Sequence, residues 1–193
     1  VPDWPNTYGY NMFYFPFSQW VGGIFWEHSH RLMASLVGLM TLTLTIWSHG
    51  RSGRSLLRYV ILPLSILLTI LVLINAENNT LQHASITGMT GIIALFASFF
   101  WPRMKPASKW IRKLCWMALL MVIGQGLLGG LRVTLYKDEI GIIHATLAQL
   151  FLVLMVAITF VSSKRWIGWK AASRDKVAVP SLFSWMMAAL CAF

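Results

Sequence analysis

Residues 27–31 read Glu-His-Ser-His-Arg, which places an acid, two imidazoles and a guanidinium at the start of an apolar stretch. On a helix, side chains advance by about 100° per residue. Glu27 and His30, three apart, therefore share one face, while His28 points roughly 160° away from His30. The two histidines cannot both aim at one ligand. An acid within a membrane segment is costly to keep without a purpose. One reading makes Glu27 and Arg31, four apart, a structural ion pair; the other gives Glu27 and His30 shared chemistry.

A third histidine stands at matching depth. His144 lies in "IIHATLAQLF", close to the start of another apolar run, and Arg132 ends the preceding run in "GQGLLGGLRV". Two helices that each offer an imidazole at one level meet the need of a haem iron for two axial ligands, with the flat macrocycle between them. The glycines at 124, 126, 129 and 130, with Gly88 and Gly91 in another run, permit close helix approach or room for a large planar ligand. Arg31 and Arg132 suit the propionate carboxylates. Zinc fits less well, because the sequence has no HExxH and no compact set of three or four ligands. His28 and His83 each read as a further haem contact or as an ordinary hydrogen-bonded interfacial residue. His49, beside Arg51, is expected to be solvated.

These residues need a scaffold, and composition indicates which kind. Hydrophobic residues make up 57% of the 193 and charged residues 11%, against about a quarter charged in soluble domains. The apolar residues gather in blocks, so the expected fold is all-α, a polytopic membrane helical bundle. Blocks near the roughly 20 residues that span a bilayer run over 24–48, 59–75, 84–101, 114–133 and 141–163, and a sixth begins at 180. The expectation is five full transmembrane helices plus a partial sixth. Residues 1–23 form an outer loop, 24–163 the bundle with the haem site, 164–179 a basic inner loop, and 180–193 the start of a truncated helix. With Val1 first and an apolar run at its end, the sequence is expected to be a portion of a longer chain.

Charge gives the orientation. Thirteen of the sixteen Lys and Arg residues fall in 49–58, 102–113 and 164–179, whereas 1–23, 76–83 and 134–140 hold Lys137 and no arginine. This alternation is the mark of a membrane protein whose basic loops face the cytoplasm or matrix. The net charge of +10 thus points to the lipid bilayer and its anionic headgroups as partner rather than to nucleic acid. Glu27, His28, His30, His83, Arg132 and His144 all come out on the outer side. The outer segment 1–23, rich in Trp, Tyr, Phe and Pro, reads either as a lid or as an interfacial anchor. Asn78-Asn79-Thr80 matches a glycosylation sequon, relevant only in a secretory compartment. Cys115 and Cys191, far apart in apolar runs, read as packing residues.

"EHSHR", "QGLLGGLRV" and "IIHATLAQLF", taken in order, together with "VPDWPNTYGY…FP…VGGIFWEHSHRL", resemble the haem A synthase family over residues 1–48 and 114–155. The resemblance implies a membrane oxidoreductase that converts the C8 methyl of haem O to a formyl group, supplying haem A to cytochrome oxidase. It implies two four-helix halves, this one binding substrate haem O and the other, absent here, binding haem B. Glu27 matches the acid of the family's Glu-x-x-His-Arg motif, His30 its histidine, and His144 the paired histidine of the same half. Partners implied are haem O, the enzyme that produces it and an electron donor of unknown identity, in a bacterial plasma membrane or mitochondrial inner membrane. A homo-oligomer is compatible with this.

The chain departs from the family in three ways. It has no cysteine pair in 1–23, it lacks the second half, and 59–101, with His83 between its two runs, does not match a four-helix half. "LQHASI" only faintly echoes "IIHATL". Two other functions compete: a non-catalytic b-type haem protein for electron transfer or haem carriage, and a transporter whose acid and histidines form a proton path. The transporter requires ionisable residues continuing toward the inner side, and the spans hold almost none there.

Overall fold

The computed structural model describes residues 3–75 and 80–163, together with Trp166 and Gly168. The expected sixth span, most of the loop 164–179, Cys191, and Asn78 and Asn79 of the sequon lie outside the described residues. Within them the chain is an all-α polytopic bundle. Its helices are α1 (Gly22–Ser48), α2 (Gly50–Ile74), α3 (Thr80–Phe100), α4 (Lys109–Leu135) and α5 (Asp138–Ser162), each long and apolar enough to cross a membrane.

Four of the five begin and end within a few residues of the apolar runs. α2 begins nine residues before its run at 59, because the polar stretch after Gly50 continues the helix although hydropathy alone does not mark it. It enters through a 3-10 turn (Gly50–Ser52) and widens to a π turn over Leu57–Ile61. Pro63 follows two residues after its end, and a proline has no amide to give the preceding turn, so the wider turn accommodates the break in the ladder. α4 is capped by Ser108, whose Oγ accepts the Ile111 amide at 3.3 Å. α5 opens with Asp138 and Glu139, acids that complement the helix dipole.

The helices form two antiparallel hairpins, α2–α3 and α4–α5, with α1 packed on α4. One core joins Cys115 and Ala118 of α4 to Leu154 and Ile158 of α5, with Leu44 of α1 against it. The other joins Ile46, Leu57 and Ala94. Lipid gives little hydrophobic drive between helices, so small residues and hydrogen bonds hold them together. Thr45 Oγ1 donates to the Cys115 carbonyl at 3.1 Å, Thr69 Oγ1 to Thr87 Oγ1 at 2.9 Å, and Gly91 lies directly against Ser65 Oγ. Among the described residues, every buried apolar side chain of α1, α4 and α5 lies toward the end that carries the basic loops.

The opposite end is capped by the segment before α1. Asn6–Thr7 (β1) pairs antiparallel with Tyr10–Asn11 (β2). The turn residues Tyr8 and Gly9 have φ of 48° and 79°, which gives the tight connection a two-residue hairpin favours. The Asp3 carboxylate accepts both turn amides at 2.8 Å. Two short 3-10 turns, Met12–Tyr14 and Phe17–Gln19, lead into α1.

Candidate functional site

Five of the seven ionisable residues singled out at the capped end divide into two sets. His28 belongs to the cap. Its imidazole is 1% exposed, lies 5.0 Å from the Phe15 ring and 4.5 Å from that of Trp20, and its Nδ1 stands 3.4 Å from Thr7 Oγ1. Arg31 also holds the cap: Nη1 donates to the carbonyls of Asp3 and Asn6, each at 2.9 Å, and Nη2 to Glu27 Oε1 at 3.1 Å. A guanidinium presents several donors in a rigid fork, which suits this multiple clamp. His83 is tied to the cap from α3, its Nδ1 2.9 Å from Asn11 Nδ2, and Tyr14 Oη lies 3.2 Å from Ser85 Oγ. Trp4 rests on Gly130 of α4 so closely that a Cβ there would stand 2.5 Å from the indole. The cap is thus docked on three helices.

His30 and His144 form the other set. His30 shares a stripe of α1 with Thr41 and Thr45, which stand about 20° and 60° from it around the axis. Thr45 on that stripe meets the Cys115 carbonyl of α4. His30 is nonetheless exposed, because the buried contacts of α1 with α4 and α5 stop short of its level. His144, on α5, is half-buried and lies within electrostatic reach of His30. The His144 ring lies on Gly129, with Cε1 3.3 Å from where a Cβ would stand. Its Nδ1 is buried with no hydrogen-bond partner among the described residues.

Arg132 lies beside His144, within range of its charge. Its Nε is 3.3 Å from the position of a Gly141 Cβ. The side chain is exposed, and no ion pair or hydrogen bond of its guanidinium occurs among the described residues. Glu27, 39% exposed at its side chain, holds the salt bridge to Arg31. The acid therefore stands one turn from His30 and is fixed by the cap clamp.

Gln125 belongs to this site although no sequence pattern singled it out. Its Nε2 donates to the His144 carbonyl at 2.9 Å, joining α4 to α5 at this level. An amide among the glycines of α4 is the signal that could have found it. Asp3, Trp4, Thr7 and Asn11 were likewise passed over, since their partners are 21 residues or more away or lie in backbone amides. His49 corrects an expectation: it is not simply solvated. Its Nδ1 lies 2.8 Å from the Thr45 carbonyl and its Nε2 accepts the Trp116 indole N–H at 3.2 Å, which satisfies both nitrogens.

The donor set suits a haem better than a bare metal ion. Among the described residues no group of three or more His, Cys, Asp or Glu comes together to hold a metal, whereas two imidazoles on separate helices are what axial ligation uses. Gly129 brings the α4 backbone close under the His144 ring, and the buried Nδ1 has its bonding capacity unused among the described residues. No family model, curated protein or solved structure matches the chain.

Proposed function

We propose that this chain is the substrate-haem half of a haem A synthase-like membrane oxidoreductase. The observation that carries the proposal is that His30 and His144 stand within electrostatic reach of one another on two helices that both pack on α4, with Glu27 one turn from His30 and a docked cap above. The substrate is haem O, held through its iron by the two imidazoles. The overall chemistry is oxidation of the C8 methyl to a formyl group, with electrons and oxidant supplied from outside these residues and haem B in the half not included here.

The chain's own groups take definite parts. His30 and His144 fix the plane and height of the macrocycle. Arg132, with its guanidinium uncommitted, pairs with a propionate. Arg31 belongs to the cap and acts on the site through Glu27, whose carboxylate it holds in place. Glu27 accepts or returns a proton near the reacting edge and stabilises positive charge that develops there. The cap limits water at the site. Basic loops on the far side support an orientation with this end toward the outer face of a bacterial plasma membrane or a mitochondrial inner membrane.

A non-catalytic b-type haem protein is the second reading. The 3.1 Å Glu27–Arg31 ion pair favours it, since that pair explains the acid without catalysis. A proton-translocating transporter is not favoured, because beyond Arg31 on α1 and His144 on α5 the two helices carry no further Asp, Glu, Lys, Arg or His toward the basic end until His49. The test is to express the full-length protein beside a source of haem O and identify extracted haems by mass spectrometry. Haem A or its hydroxylated precursor, lost on Glu27→Ala, is the expected result. A low-spin haem spectrum without conversion leaves the second reading.

A further inference from the structure

The end opposite the cap is one fixed platform rather than two separate loops. The Arg51 amide donates to the Met104 carbonyl at 3.0 Å and the Ala107 amide to the Ser48 carbonyl at 2.9 Å. The Trp101 indole N–H donates to the Gly50 carbonyl at 2.8 Å. Gly50 has φ of 56°, and a Cβ there would stand 2.6 Å from the Met104 carbonyl oxygen. The segment between α3 and α4 therefore lies directly on the α1–α2 turn, and glycine is the residue that allows it.

Among the described residues this platform carries strong positive charge and no carboxylate. All described carboxylates (Asp3, Glu27, Asp138 and Glu139) are at the capped end. Arg58 is accounted for by Ser98, at 3.0 Å, and the Phe99 ring, and Lys113 by the Trp110 ring. Arg51, Arg54, Arg103, Lys105, Lys109 and Arg112 have no ion pair or side-chain hydrogen bond among the described residues, and Arg112 Nε is buried without a partner. Lys109 and Arg112 also stand at the start of α4, where the helix dipole repels cations. Cations on a backbone held together in this way, without an acid beside them among the described residues, suit an external anion.

An apolar groove of about 450 Å³ reaches the same platform. It is lined by Leu39, Met40, Thr43, Leu44 and Trp47 of α1 and ends one residue before Ser48, whose carbonyl the Ala107 amide binds. Trp110, at the start of α4, is 74% exposed, as suits an indole at headgroup level. Phosphate chemistry and an apolar slot thus meet at one place.

We propose that the platform retains an anionic phospholipid, its phosphodiester among the six cations and an acyl chain along the α1 groove. The claim is independent of the haem reading, and it goes beyond a general attraction of basic loops to membranes because it requires the loops to be locked together. The test uses the full chain in mixed micelles, with phosphatidylglycerol, phosphatidylcholine and inorganic phosphate added in separate arms. Bound lipid is read by native mass spectrometry and folding by circular dichroism.

Phosphatidylglycerol is expected to stay bound and to raise the melting temperature, and the other two are not. Arg51→Gln with Arg54→Gln is expected to weaken retention about thirtyfold, at about 1 kcal/mol per cation near a lipid surface. Gly50→Ala keeps every charge but lifts the segment at Met104, and it is expected to lose retention too. If Gly50→Ala does not fold, the double arginine variant decides. Equal retention of both lipids, the same stabilisation by inorganic phosphate, or full retention by folded Gly50→Ala overturns the proposal.

Discussion

The imidazole of His144 rests on the backbone of Gly129, and a methyl group there would stand 3.3 Å from its Cε1. That contact is tighter than side chains ordinarily make, so Gly129→Ala must turn the ring or move α5. The expected outcome is a shifted low-spin haem spectrum and weaker haem retention, with a stability loss of no more than about 1–3 kcal/mol. Gly126→Ala, where a Cβ meets nothing within 4 Å, is the matched control and leaves the spectrum unchanged.

The two arginines separate by function. Arg31→Ala removes the donors to Asp3, Asn6 and Glu27, each bond to a charged group being worth about 1.5–3 kcal/mol. Limited proteolysis should then cut within residues 3–21 while the helices stay intact. Arg132→Ala should leave that pattern alone and weaken haem retention. If both variants behave alike, the division of roles is wrong.

His28 is expected to be dispensable for haem. His28→Phe keeps the ring packing against Phe15 and Trp20 and removes the contact with Thr7, at a cost of about 0.5–1.5 kcal/mol for one hydrogen bond. Absorbance of the purified protein should show an unchanged low-spin haem. Loss of the axial signature in this variant would mean that His28, and not only His30, approaches the iron.

The α2–α3 hairpin is predicted to depend on the meeting of Gly91 with Ser65. Gly91→Ala forces a methyl onto Ser65 Oγ and should destabilise by about 1–3 kcal/mol. Adding Ser65→Ala removes the obstructing oxygen, so the double variant should recover much of the loss. Thermal unfolding of the four proteins in one detergent gives the coupling between the two positions.

Much of the scaffold is legible in the sequence because a bilayer demands long apolar runs. The runs at 24–48, 84–101, 114–133 and 141–163 each became a helix, and the opposite directions of His28 and His30 follow from helical rotation alone. The early start of α2 was not legible, since polar residues at 50–58 continue a helix without an apolar signature. Arg31 shows a second limit. Its spacing to Glu27 predicts the ion pair, but its other acceptors are carbonyls of Asp3 and Asn6, and any residue offers a carbonyl. The tight fit of Trp4 on Gly130 is hidden for the same reason: a glycine announces space and not what fills it.

The central claim is that His30 and His144 hold one haem between α1 and α5, and haem content tests it most directly. The full-length protein and its His30→Ala and His144→Ala variants are purified, and the haem of this half is quantified by absorbance after extraction. Each variant is expected to lose the low-spin signature and most of that haem, while circular dichroism shows the helices retained. Unchanged haem content and an unchanged spectrum in both folded variants would contradict the account.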